Sequence, residues 1–328
     1  MRCSRQIKLL ILVLGVVAIA GFAGNVSAQS NKIRYSNAMG MRYVYLRDVA
    51  GYYDMRCYIW ADRTVLASNN VKITFFPDKK YAYVNDVKVA LMFAPFTKGI
   101  QSFLNYKDFL ETIDPLLRSS VLNKHQMKLI MIDPGHGGKD NGGEGKYEKE
   151  KEIVLSVSKK LKTMLVRAGY KVILTRGWDQ TLTLEQRVEN ARRTGADIFI
   201  SLHTNIASDS KVNGIETFCV TPVGAASTHS KKPSYKAEPG NRFDKNNIEL
   251  AFEVQKALIK RTSAEDRGVK RARFYVIKNV ACPAILIEMG FLSNRVEEKK
   301  LSSDWYQNII VKGITEGVLK YNQSLLKN

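Results

Sequence analysis

Cysteine and histidine are both scarce in this chain of 328 residues, at four each. The cysteines match no CxxC spacing, which excludes zinc ribbons and other cysteine-caged metals. Acidic side chains are also short in number, with 31 Asp plus Glu against 51 Lys plus Arg, so the formal charge is +20. Such an excess admits nucleic acid, an anionic membrane surface or an acidic polymer as partner. No helix-turn-helix, zinc-finger or RNP pattern is present, which argues against nucleic acid. The hydrophobic share of 45% excludes a wholly disordered or collagen-like chain.

One long apolar run exists, at the N-terminus. Arg2, Arg5 and Lys8 precede an apolar stretch from Leu9 to Ala23, and Val26-Ser27-Ala28 offers small residues for cleavage. Residues 1–28 therefore read as a secretory signal. The run is shorter than the roughly 20 residues of a membrane span. No cysteine stands at the cleavage point, which argues against a lipoprotein. The expected location is the periplasm or the exterior, associated with the cell envelope, which again disfavours nucleic acid. Removing the signal leaves +17, of which +5 lies in residues 31–120. Cys57, Cys219 and Cys282 then remain, an odd number. Cys219 and Cys282 fall in strand-like runs and read as buried small side chains, with a disulfide between them as the alternative.

Residues 31–120 carry short aromatic and β-branched runs (MRYVYL, RCYIWA, VKITFF, AYVNDVKVAL) broken by Asn, Asp, Pro and Gly. These predict a small strand-rich accessory domain. Tyr43 to Val49 and Phe103 to Phe109 echo each other, each reading as a strand end that enters a short helix. This paired pattern resembles the copper-amine-oxidase N-terminal-like stalk module of exported wall proteins. The accessory part has no histidine, and no chemistry is assigned to it. Residues 121–127 read as a linker.

From residue 128 to 322 apolar runs alternate with amphipathic stretches. Strands are predicted at Lys128 to Ile132, Lys171 to Thr175, Asp197 to Leu202, Gly214 to Val220, Phe274 to Ile277 and Ala284 to Ile287. Helices are predicted at Glu150 to Ala168, Leu184 to Ala196, Ile248 to Ile259 and Trp305 to Leu319. Such alternation predicts an α/β fold, an open and largely parallel sheet with helices on both faces. Gly224 to Asn241 reads as a long basic loop, a candidate flap for substrate or partner.

In such sheets chemistry gathers beyond the carboxyl ends of strands. KLIMI ends in Asp133-Pro134-Gly135-His136-Gly137-Gly138, DIFISL ends in His203-Thr204-Asn205, and AILI ends in Glu288-Met289-Gly290. Two of the four histidines thus converge on one sheet edge, a pattern suited to a catalytic zinc with three N/O protein ligands. The third ligand is an acid near the glycine loop. Glu150 opens the following helix, with Glu148 and Glu152 as rivals that spacing does not separate. Glu288 ends an apolar strand, where a carboxylate is costly unless paired or functional, and it suits the role of general base and acid. Asn205 is a candidate substrate contact.

IMIDPGHGGKDNGG, EKEIVL, KVILTR, DIFISLHTN, NGIETF and PAILIEMGFLSN occur in this order. Together they resemble the zinc-dependent N-acetylmuramoyl-L-alanine amidases of bacterial wall remodelling, over residues 128–322. The resemblance implies Zn2+ held by His136, Glu150 and His203, with Glu288 catalytic. It implies hydrolysis, by a zinc-activated water, of the amide joining N-acetylmuramic acid to L-alanine in peptidoglycan. An activator protein is a further partner it suggests. Some relatives insert an acidic, site-blocking helix near the position of the 224–241 loop, but this loop is basic and broken by Pro233 and Pro239. Asn141 stands where Pro is common and Thr204 where Ala is common, neither at a ligand. Two other readings are a catalytically silent wall-binding protein and another zinc hydrolase on the same scaffold.

Overall fold

The computed structural model describes residues 32–327, so the expected signal segment lies outside the described residues. The strand-rich part opens with β1 (Tyr35–Ala38), β2 (Met41–Tyr45) and α1 (Leu46–Tyr52). A meander follows: β3 (Arg56–Ile59), β4 (Thr64–Ala67), β5 (Lys72–Phe75), β6 (Tyr81–Val84) and β7 (Val87–Ala90). After β8 (Phe96–Lys98), β9 (Gln101–Asn105) runs into α2 (Tyr106–Asp108), a wider turn at Phe109–Ile113, and α3 (Asp114–Leu117). The two echoing segments are thus both strand-to-helix units, and their strands β2 and β9 pair antiparallel in a sheet of order β1-β2-β9-β8.

The α/β part comprises β10 (Leu129–Pro134), α4 (Glu150–Arg167), β11 (Lys171–Leu174), α5 (Leu184–Thr194), β12 (Ile198–Asn205) and β13 (Ile215–Val220). The 224–241 segment holds a minimal hairpin, β14 (Ala225–Ala226) and β15 (Pro233–Ser234). Then come α6 (Asp244–Thr262), β16 (Asp266–Ala272), α7 (Tyr275–Asn279), β17 (Ala284–Phe291), α8 (Arg295–Leu301) and α9 (Asp304–Leu326). Strands β11-β10-β12-β17-β13-β16 are neighbours in that order. Every pair is parallel except β13 with β17.

This sheet does not stop at the boundary between the two parts. The chain continues β16-β7-β6-β5-β4-β3, giving eleven strands. The joint is narrow: Val269 pairs with Val89, and Asp266 accepts the Lys88 amide at 2.7 Å. Arg271 reinforces it by donating to Glu111 O and Thr112 Oγ1. The expected linker is docked as well, because Asn123 N donates to Asn246 Oδ1 on α6 and Leu122 and Met127 are buried. One apolar core runs through both parts on one sheet face, and a smaller core fills the other.

The helices follow from their patterns. Ile153, Val154, Val157, Leu161 and Leu165 give α4 a buried stripe. A Thr183/Gln186 capping box starts α5, and Gly195 in the left-handed region ends it. Helices α6 and α9 cross closely, since a Cβ at Gly317 would collide with the Val254 backbone. No helix among the described residues is long and apolar enough to cross a membrane.

One expectation is corrected. The Phe274–Ile277 run is not a strand. The preceding β16 already fills that sheet position, so the chain leaves the sheet as α7 and buries Val276 and Ile277 beside α5. Cys219 and Cys282 are buried free thiols, one in each core, as first read, and the alternative disulfide is not formed. The 224–241 segment is anchored rather than loose: Arg273 donates to Ala225 O at 2.8 Å, and Thr228 N to Arg271 O at 2.8 Å.

Candidate metal centre and active site

Strand β10 delivers Asp133 and Pro134 to the carboxyl edge, where the chain turns through Gly135 and His136. Two buried arginines hold that turn. Arg176 donates to Pro134 O and Gly135 O at 3.1 and 2.7 Å. Arg187 donates to Pro134 O and His136 O and pairs with Asp133 at 2.7 Å, both side chains almost fully buried. Removing one partner of such a pair typically costs about 3–5 kcal/mol, because the other charge stays buried. The turn is strained, with His136 at φ 56°, and Gly135 leaves no Cβ to strike the His203 ring.

Glu150 opens α4 and is buried. His203 stands near the end of β12. Nε2 of His136 and Nδ1 of His203 both approach Glu150 Oε1, at 3.2 and 2.9 Å. The two imidazoles meet edge-on with centroids 5.0 Å apart. One ligand atom from each of His136, Glu150 and His203 lies within 4.8 Å of the others. Ligands on a tetrahedral zinc at about 2.0–2.1 Å stand roughly 3.3 Å apart, so this donor set fits the ion in both chemistry and spacing. Glu150 is therefore the acid brought to the histidines. Glu148 and Glu152 belong to no such group among the described residues.

The neighbours orient these side chains. Thr204 N and Gly143 N donate to the two Glu150 oxygens at 3.0 and 2.7 Å. Burial opposes ionisation of Glu150, yet the hydrogen bonds and charges of His136 and His203 overcome it and hold the carboxyl well below the usual range. His136 Nδ1 lies 2.8 Å from Asp140 Oδ2, which leaves Nε2 for a metal.

Glu288 is the partner of His203 in the β12–β17 register and of Glu216 in the β13–β17 register. Its Oε2 is sealed from solvent and has no hydrogen-bond partner among the described residues. Burial, then the charges of Glu150 and Glu216, push this carboxyl well above its ordinary value, with Lys270 opposing. Asn205 does not point free into the site. Its Nδ2 donates to Glu216 Oε1 at 3.1 Å, and its Oδ1 accepts from Ile206 N. Glu216 also pairs with Lys270 and, at 3.0 Å, with Arg267.

Sequence reasoning missed Asp140, Arg176, Arg187 and Glu216. Asp140 carried a signal, being a carboxylate four residues after a candidate metal histidine. Glu216 carried another, an acid inside an otherwise apolar strand, the same sign that marked Glu288. The arginines act through backbone carbonyls, which no side-chain pattern reveals.

A family model described as N-acetylmuramoyl-L-alanine amidase matches residues 130–320. N-acetylmuramoyl-L-alanine amidase LytC of Bacillus subtilis is 34% identical over 192 residues, 58% of this chain and 35% of the relative. The chain thus spans about a third of that relative. N-acetylmuramoyl-L-alanine amidase AmiA of Escherichia coli is 28% identical over 276 residues, covering 76% of this chain and 94% of the relative. Among solved structures, the CwlD amidase of Clostridioides difficile in complex with the GerS lipoprotein matches at TM-score 0.51 and 31% identity, over 59% of this chain and 98% of that one.

Proposed function

Because the chain belongs to the N-acetylmuramoyl-L-alanine amidase family, we propose that it is an exported hydrolase of the amide between N-acetylmuramic acid and L-alanine in peptidoglycan. The observation that carries this reading is the convergence of His136, Glu150 and His203 with Glu288 as the strand neighbour of His203. In this reading the three residues hold Zn2+, and the ion supplies Lewis acidity at the scissile amide.

The chain's own residues do the rest. The unpaired Glu288 Oε2 takes a proton from the attacking water and returns it to the leaving amine nitrogen as the C–N bond breaks and a C–O bond forms. Asp140 fixes the His136 tautomer, and Arg176 and Arg187 keep the turn in its strained shape. The CwlD–GerS complex, an amidase bound to a lipoprotein, supports a protein partner for this chain too.

Mass analysis of digested sacculi tests the reading. Free stem peptides with an intact glycan are expected. Peptide trimming or acetate release would show a different zinc hydrolase, and no product would show a silent wall-binding protein.

A further inference from the structure

A cleft of about 280 Å³ lies where the two parts of the sheet meet. Lys80, Tyr81 and Lys88 line it from β6, β7 and the turn before β6, Arg267 and Lys270 from β16, and His229 from the anchored 224–241 segment. Two of the acids beside it are engaged. Glu216 binds Lys270 and Arg267. Asp266 accepts from Lys88 N, Gly268 N and Gln255 Nε2. Glu265 is exposed. Lys80 and Lys88 have no ion pair among the described residues, and the Lys88 ammonium lies 4.7 Å from the Tyr81 ring centre.

The cleft shares a sheet face with the catalytic acid. Glu288 pairs with Glu216, Phe218 on the Glu216 face pairs with Lys270, and the Val269–Val89 bridge puts Lys270 and Lys88 together on the opposite side from the two valines. Three strand steps of about 4.8 Å separate β17 from β7, or roughly 14 Å. An extended peptide covers about 3.4 Å per residue. Groups about four residues beyond an amide cleaved at Glu288 therefore reach the strand that carries Lys88.

We infer that this cleft is a subsite for the free carboxylates of the peptide stem, built jointly by the strand-rich part and the α/β part. The inference rests on the amidase reading for the position of the scissile bond. It gives the strand-rich part a task in substrate choice: Lys80 and Lys88 read acidity well beyond the bond that breaks. Cations of both parts face the same cavity, so neither part alone completes it.

The test is binding, which does not depend on turnover. A soluble muropeptide with free stem carboxylates, and the same muropeptide with those carboxylates amidated, are titrated calorimetrically into the full Glu288→Gln chain. The free form is expected to bind roughly five-fold tighter, as two partly exposed ion pairs permit. That preference is expected to vanish in Lys80→Met/Lys88→Met and to persist in Lys80→Arg/Lys88→Arg, which keeps the charge. Equal affinity for the two forms, or a preference that survives the methionine pair, would overturn the subsite. A chain that prefers the free form yet releases no stems from sacculi keeps the subsite and loses the amidase reading, so the two failures are told apart.

Discussion

At the scale of single residues, the site depends on groups that touch no substrate. Asp140 is one. Its Oδ2 stands 2.8 Å from His136 Nδ1 and so selects which imidazole nitrogen is left for a metal. Partners of this kind are typically worth about 10–100-fold in metal affinity. Asp140→Ala is expected to weaken zinc binding by about that factor in a competition titration with a chromogenic chelator, while the fold melts normally. Unchanged affinity would remove Asp140 from the account. Arg187 acts differently: it pairs with buried Asp133 and binds two carbonyls of the turn, so its loss strikes the fold as well as the site.

At the scale of elements, much of the α/β part was legible in the sequence. β10, β12 and β17 are nearly continuous apolar runs because both their faces are covered. Their ends marked the site, since His136, His203 and Glu288 are polar groups where such runs stop. What was not legible has two causes. β16 reads DRGVKRA, four of its seven residues charged, because one face lines the basic cleft and the strand joins two parts of the sheet instead of burying an apolar stripe. α7 reads as a strand because Tyr275, Val276 and Ile277 favour one intrinsically, and only the occupied sheet position turns them out. The choice of Glu150 over Glu148 and Glu152 came from the family motif, and the structure brings that residue to both histidines.

The α6–α9 pair carries a pH-dependent term. Glu249 on α6 is buried and accepts from Ser324 Oγ on α9 at 2.8 Å, and burial pushes its carboxyl up to about 7. A folded-state pKa raised above the unfolded value means that the folded chain holds the extra proton. Stability from this group is therefore full below about pH 4.5 and falls as pH rises toward 7. Glu249→Gln mimics the protonated form. Its melting temperature is expected to match the parent near pH 4.5 and to exceed it increasingly up to pH 8. A gap that does not change with pH would contradict this assignment.

At the scale of the whole molecule, the basic excess is a property of the surface shared by both parts, since, leaving out the +3 of residues 1–28, +5 belongs to residues 31–120 and +12 to the rest. Where the parts join, in the cleft beside β7 and β16, that diffuse charge becomes specific geometry. The eleven-stranded sheet sets the strand-rich part alongside the proposed active site, not at the end of a free tether. The proposed chemistry turns on one carboxylate, that of Glu288. Measuring zinc content and muropeptide cleavage together on Glu288→Gln tests it most directly. About one zinc per chain is expected, as in the parent, with cleavage reduced by about 10²–10⁴-fold. Cleavage near the parental rate with zinc still bound would contradict it.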